Sequence, residues 1–228
     1  MPGLRRHSGR KRVKLDWYRE PPWLIDQMLD QLAADGEPFI GEVLDPCCGG
    51  GTIPSRLLAR GIPARGSDKV DRGYRGPFEV RNVFAIREPV DNIMSNLPFV
   101  DAEAILRHLL TIVRRRILLV LPLPFLGTKE RRLLFREYPF HTLYPCSDRP
   151  SMPPGVMTKM WDELGALIGA RGANGTAEYG WFRFEIGYRG RMHVGLLDEP
   201  PALDRRQLPL FRSESLTPDP APQASLWC

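Results

Sequence analysis

Cysteine and histidine are scarce, with four of each in 228 residues. Cys47, Cys48, Cys146 and Cys228 include one adjacent pair but no CxxC pair with a nearby histidine, so neither a zinc site nor a disulfide framework is expected. No stretch reaches the ~18 consecutive apolar residues of a membrane span. The arginines near the amino terminus are not followed by the apolar segment of a secretory signal. A soluble, cytoplasmic protein is therefore expected, with no membrane partner and no metal. Length adds a bound of its own: 228 residues, 43% of them hydrophobic, can bury one full core but leave no room for two large domains.

Acidic residues are missing from the first fifteen positions, and that absence shapes the charge distribution. Arg5, Arg6, Arg10, Lys11, Arg12 and Lys14 all precede Asp16, the first acid. These six cations exceed the chain's whole net charge of +5, so the basic character belongs to an arm over residues 1–15. Such an arm can contact phosphates. With no aromatic residue before Trp17, a solvated tail fits the composition equally well.

Beyond the arm the hydrophobic pattern becomes periodic. Pro21 and Pro22 open an amphipathic helix with Leu24, Ile25, Met28, Leu29 and Leu32 on one face, closed by Gly36. Phe39 to Leu44 reads as a buried strand, Ile53 to Arg60 as a helix, Ala64 to Ser67 as a second strand ending at Asp68, and the stretch near Phe78 to Phe84 as a third. Val90 to Ser95 and Arg116 to Leu121 are apolar enough for central strands. The helix between them carries Ile105, Leu106, Leu109, Leu110 and Val113 on one face. A charged helix reaching Tyr138 and a strand over Phe140 to Cys146 follow. This alternation predicts an α/β fold, a Rossmann-like, doubly wound and mostly parallel sheet. Glu178 to Gly187 and Arg191 to Leu197, linked by Tyr188, Arg189 and Gly190, read as an antiparallel hairpin at the carboxyl-terminal sheet edge. The domain is thus expected over residues 16–198. Within it Ser147 to Ala177 form a long connection of the kind that carries recognition, and the proline-rich stretch 199–228 is expected to be disordered.

The residues that carry chemistry fall at the ends of predicted strands. Val43-Leu44-Asp45-Pro46-Cys47-Cys48-Gly49-Gly50-Gly51-Thr52 sets an acid at the end of the first strand and three glycines in the turn to a helix, where a ligand can approach the backbone closely. The segment has neither the Gly-Lys-Ser/Thr ending of a P-loop nor GxGxxG spacing, and Asp45 would repel a pyrophosphate. A ligand with a cationic end fits better, and S-adenosylmethionine carries an ammonium and a sulfonium. Asp68, 23 residues on, ends the second strand, where a carboxylate can accept both hydroxyl protons of a ribose.

After the fourth strand comes Asn96-Leu97-Pro98-Phe99. An exocyclic amine on a base is a poor nucleophile because its lone pair is delocalised into the ring. Two acceptors, the Asn96 amide oxygen and the Leu97 carbonyl, can hold its two hydrogens and favour a pyramidal nitrogen. Phe99 offers a ring on which a base can stack, an interaction worth ~1–3 kcal/mol.

These residues resemble the class I amino-methyltransferases, whose fourth motif runs Asp/Asn/Ser-Pro-Pro-aromatic, and more closely the short adenine-specific DNA methyltransferases of phages and prophages. The likeness spans about residues 16–198. It implies the class I methyltransferase fold and S-adenosylmethionine as cofactor. By this resemblance Tyr18, Pro21, Pro22 and Trp23 form the amino-terminal element that packs on the cofactor. Asp45, Cys47, Gly49 and Gly51 belong to motif I, Asp68 is the acid of motif II, and Asn82 stands where motif III contacts the adenine ring. Asn96, Leu97, Pro98 and Phe99 form the catalytic motif, and Ser147-Asp148-Arg149-Pro150-Ser151-Met152 is similar to a later motif near the target base. Leu97 replaces the first proline of the DNA enzymes, which keeps the carbonyl and loses the fixed φ. Asn-Leu-Pro-aromatic is also the pattern of the ribosomal RNA adenine dimethyltransferases.

The resemblance thus implies methylation of adenine N6 in DNA. An RNA base or a protein glutamine amide would use the same acceptor pair, and cytosine N4 carries the same two hydrogens. A non-catalytic module that keeps the fold and binds nucleic acid is the alternative of a different class. No separate target-recognition domain fits the length, so sequence reading falls to Ser147–Ala177, to the arm or to a partner protein. If the six cations of the arm meet phosphates, affinity for duplex DNA should fall with salt at a slope near −0.9 per phosphate contacted, and deletion of residues 1–14 should flatten it. An unchanged slope in a filter-binding titration would make the arm a solvated tail.

Overall fold

The computed structural model describes residues 17–146, 149–152, 155 and 177–197. The arm, most of the Ser147 to Ala177 connection and the tail from Glu199 lie outside the described residues. Helix α1 is Pro22–Ala34, with proline at its first turn, where the missing N–H costs no hydrogen bond. Gly36, at a φ of 70°, follows its end. Strand β1 (Val43–Asp45) leads through the glycine turn into α2 (Thr52–Ala59), then β2 (Ala64–Asp68) and β3 (Phe78–Val80). A short 3-10 turn, Val83–Ala85, precedes β4 (Val90–Ser95), α3 (Ala102–Ile112) and β5 (Val113–Pro122). A second 3-10 turn, Leu123–Leu126, helix α4 (Lys129–Glu137) and strands β6 (Thr142–Pro145), β7 (Tyr179–Glu185) and β8 (His193–Val194) complete the described elements.

The sheet runs β3-β2-β1-β4-β5-β7-β6-β8. Strands β1 to β5 are mutually parallel, while β7 is antiparallel to both β5 and β6. The chain winds outward from β1 to β3, then returns to β4 on the other side of β1, so the order reverses between β1 and β4. Ligands on open α/β sheets bind outside the carboxyl ends of the strands at such a reversal. Val43 lies beside Asn92 and Leu44 beside Ile93, which brings the ends of the two strands, Asp45 and Ser95, together at that point.

Alternate residues of the central strands feed two cores, one on each face. Ile93, Ile117, Leu119, Leu121, Phe182 and Phe184 pack under α3 and α4; Met94, Leu118, Val120 and Trp181 pack under α1 and α2. Covering both faces is what a continuous apolar strand such as Ile117–Leu121 demands. The loop after α1 is tied to the sheet by ions: Arg183, 3% exposed, pairs with Glu37 and Glu185, and Arg116 donates to the Glu37 carbonyl at 2.7 Å. No helix among the described residues is long and apolar enough to cross a membrane.

Two expectations about strands are revised. The first strand is shorter than Phe39–Leu44, because Gly41 at a φ of 89° breaks the extended run and leaves Ile40 63% exposed. The antiparallel pair expected at the carboxyl end is present, but β7 pairs with β6 and β5, and β8 joins the far edge of β6 in parallel. The reason is burial. Tyr179 to Phe184 are buried at every position, which needs a neighbour on each side, and the exposed two-residue β8 cannot provide it. Phe182 meets Phe125 and Phe140 edge to face, with centroids 5.8 and 5.7 Å away. Phe182→Ala should lower the unfolding free energy by ~3–5 kcal/mol, as loss of a core phenylalanine does; a denaturant midpoint shift worth under 1 kcal/mol would contradict this packing.

Candidate functional site

The glycine turn is shaped by its neighbours. Gly49 and Gly51 have φ of 52° and 80°, the left-handed region that favours glycine. A Cβ on Gly49 would stand 2.6 Å from Trp17 Nε1, and one on Gly51 would meet the Tyr74 ring. The turn is held to β2: the Gly49 N–H donates to Asp68 Oδ2 at 3.0 Å, the Val70 N–H to its Oδ1 at 3.0 Å, and the Cys48 N–H to the Ser67 carbonyl at 2.9 Å. The Arg72 guanidinium lies 3.9 Å from Asp68 and 4.2 Å above the Trp17 ring.

Asp45 is 1% exposed. Ser95 Oγ donates to its Oδ1 at 2.7 Å and the Cys47 N–H donates at 3.2 Å. Burial, and then the charge of Glu20, nevertheless push the Asp45 carboxyl well above the usual carboxylate range. Glu20, 6% exposed, is also raised by burial, against the lowering effect of its hydrogen bond from Asn96. Burial likewise raises the Cys47 and Cys48 thiols, then the Asp45 charge, so both stay protonated at neutral pH and are poor nucleophiles. Among the described residues no group of three or more His, Cys, Asp or Glu side chains could hold a metal ion.

Asn96 sits where β4 ends, with its amide nitrogen donating to the Tyr18 carbonyl and to Glu20 Oε2, each at 3.1 Å. Its amide oxygen is buried and has no partner among the described residues. A cleft of about 230 Å³ opens beside it. Of the residues expected from sequence, Tyr18, Cys47, Gly49, Asp68, Asn82, Asn96 and Pro98 line this cleft, and Asp45 is joined to it through the Cys47 N–H. Six others, Pro21, Pro22, Trp23, Gly51, Leu97 and Phe99, do not line it. Pro22 starts α1, Gly51 caps α2, and Leu97 is 1% exposed in the core. Phe99 stacks on Tyr18, with centroids 6.1 Å apart and planes within 12°, and touches Tyr179 at 5.9 Å. Asn82 spends its side-chain oxygen on the Phe84 N–H at 3.0 Å. Sequence reasoning passed over Glu20, Trp17, Arg72 and Ser95. Glu20 had a signal, as a charged residue between Tyr18 and the prolines of a segment already singled out.

No protein-family model and no curated protein sequence matches the chain. Solved structures do. A proposed RNA methyltransferase from Pyrococcus horikoshii is similar over 78% of this chain and 91% of that one, with 13% identity and a TM-score of 0.54. The modification subunit of a proposed type I restriction enzyme from Vibrio vulnificus is similar over 81% of this chain and 48% of its own, with 12% identity and a TM-score of 0.51. The fold is that of the class I methyltransferases. At such identities the likeness establishes architecture, and function rests on the cleft itself.

The electrostatics of that cleft have a direct stability consequence. A carboxyl whose folded pKa lies above its unfolded value destabilises the fold when ionised, and the cost vanishes as pH falls through that raised value toward the ordinary 3.8. Asp45→Asn keeps an acceptor for Ser95 and removes the charge, so at pH 7 it should raise the melting temperature by a few degrees, against the usual destabilising trend of buried substitutions. A lowered melting temperature would show that the Asp45 charge is compensated.

Proposed function

We propose that this chain is an S-adenosylmethionine-dependent methyltransferase acting on an exocyclic amine of a nucleic-acid base, adenine N6 in DNA being the substrate favoured. The single observation that supports it most is the unpartnered amide oxygen of Asn96. It is a buried acceptor at the switch-point cleft of a class I methyltransferase fold, and it stands at the end of β4, where an amine must present its hydrogens.

The residues present fit the cofactor. Three carboxyl groups, Glu20, Asp45 and Asp68, surround a glycine turn, and two of them have pKa values raised, so a cation entering the cleft gains from them. Asp68 and Asp45 are the groups that would hold it, Asp68 through ribose hydroxyls and Asp45 by its negative field. When bound, S-adenosylmethionine supplies an electrophilic methyl group on a sulfonium. The chain's own task is to orient the amine. The Asn96 oxygen accepts one hydrogen and the Leu97 carbonyl the other, which localises the nitrogen lone pair; no strong base is needed, since the product cation is acidic enough to lose its proton to water. The Tyr18 ring stacked on Phe99 marks a place for a flat group, where an incoming base would exchange one stack for another.

Nucleic acid is favoured over a protein amide by the six cations of the arm and by the resemblance of Asn96-Leu97-Pro98-Phe99 to adenine-specific motifs. RNA is the second reading, because Asn-Leu-Pro-aromatic occurs in the ribosomal RNA enzymes and because the Pyrococcus structure is described as an RNA methyltransferase.

Incubation of mixed DNA and RNA with methyl-labelled S-adenosylmethionine, followed by nucleoside mass spectrometry, should place the label on N6-methyladenine from DNA. Asn96→Ala should cut turnover at least ~100-fold while leaving cofactor affinity largely intact, as loss of an interaction made in the transition state does. Label on 4-methylcytosine, on RNA alone or on a protein amide would overturn the adenine assignment, and label on none of them would overturn the activity.

A further inference from the structure

We propose that Glu20 is a positioning residue for Asn96: its carboxylate, together with the Tyr18 carbonyl, holds the amide nitrogen and so fixes which end of the amide is left free as an acceptor. The inference deepens the proposed reaction and takes from it the role of Asn96 as acceptor.

The two ends of an asparagine amide have nearly the same shape and opposite hydrogen-bonding character. The terminal torsion is broad and two-fold, so an unsupported Asn96 could turn its NH₂ toward a substrate amine and repel the hydrogens it should accept. In this structure the choice is made by neighbours. The Tyr18 carbonyl can only accept, and it lies 3.1 Å from Asn96 Nδ2; Glu20 Oε2 lies at the same distance on a second line. Met152 Sδ, 3.9 Å from that nitrogen, adds a weak third acceptor. A turned amide would set its oxygen against all three.

The arrangement is costly in the free protein, which is why it points to function. The large majority of buried side-chain polar atoms find a partner, yet the Asn96 oxygen is one of eight among the described residues that do not, and of the side-chain oxygens in that group it alone belongs to a residue lining the cleft. Glu20 is itself held in the interior against a burial that disfavours its charge. Its position is imposed from both sides. Pro21, which follows it, is buried at the start of α1, and α1 is packed through Leu24, Ile25 and Met28 against the sheet. Glu20 lies on the short stretch, Trp17–Glu20, that covers Gly49 with Trp17 and stacks Tyr18 on Phe99.

The test uses Glu20→Leu, which removes the acceptor, and Glu20→Gln, whose side-chain carbonyl can still accept from Asn96. In ¹H–¹⁵N spectra of the full chain, with the Asn96 side-chain pair assigned through its absence in Asn96→Asp, the wild-type NH₂ should be displaced from free-amide positions and slow to exchange. Glu20→Gln should retain that signature and Glu20→Leu lose it. Turnover at saturating cofactor should fall about 10–100-fold in Glu20→Leu, as expected of a misplaced reacting group, and Glu20→Gln, which lacks the same charge, should recover most of the loss. Unchanged Asn96 resonances in Glu20→Leu would overturn the proposal. So would a loss of turnover traced to cofactor affinity alone, or a Glu20→Gln variant as impaired as Glu20→Leu. Should Glu20→Leu not fold, a wild-type Asn96 NH₂ that exchanges as fast as a free amide would still refute it. The spectra need no substrate, so absence of methyl transfer by the wild type would sink the functional reading without touching this one.

Discussion

A 2.7 Å hydrogen bond from Ser95 to the buried carboxyl of Asp45 ties together the ends of β1 and β4, and the rest of the cleft is arranged around that point. Neighbouring register brings the two strand ends level. The chain leaves one of them as the glycine turn and the other as Asn96-Leu97-Pro98-Phe99. Because Asp45 is buried beside Glu20, with Asp68 close enough to disfavour its ionisation further, the free protein crowds carboxyl groups where little water can screen a charge. Such crowding weakens the fold locally. It is sustained by the two apolar cores that clamp the sheet from above and below, and it is relieved by any ligand that brings a positive group into the cleft.

The stretch Trp17–Glu20 couples the two halves of this arrangement. Its indole lies on the glycine turn under the guanidinium of Arg72, which also faces Asp68. The next residue's carbonyl, that of Tyr18, and the Glu20 carboxylate hold the amide of Asn96. The glycine turn and the Asn96 amide therefore meet one short segment, fixed at its carboxyl end by α1. The ion pairs of Arg183 with Glu37 and Glu185 act at the other end of that helix, tying its following loop to β7.

Much of the fold was legible in the amino-acid order because burial on both faces leaves a continuous apolar run. The bounds of β4, Val90–Ser95, were read directly from such a run, and α1 from the spacing of Leu24, Ile25, Met28, Leu29 and Leu32. Asp45, Asp68 and Asn96 could be brought together on paper because each ends a strand of a parallel sheet, and strand ends of one sense share an edge. What local pattern could not show was spatial order. The insertion of β7 between β5 and β6 depends on which strands the buried residues Tyr179 to Phe184 meet, information that no hairpin-like turn carries. Trp17 over Gly49 and Arg72 over Trp17 are contacts between distant positions with no periodic signature. Glu20 was hidden by its neighbours, since Pro21 and Pro22 drew the segment toward a reading as a helix start. Phe99 and Asn82, also expected at the site, each have an internal partner, Tyr18 and the Phe84 N–H.

The central claim is that an acid-crowded cleft in this fold is built for a cationic nucleoside ligand, and calorimetric titration with S-adenosylmethionine in buffers of different ionisation enthalpy tests it most directly. Burial raises the Asp45 carboxyl well above the usual carboxylate range in the free protein, and a bound cation favours its ionised form, so proton binding at Asp45 and ligand binding oppose each other. The account predicts saturable binding whose heat varies with the buffer in the sense of proton release. Absence of binding by the folded protein, proton uptake, or tighter binding of NAD than of S-adenosylmethionine would contradict it.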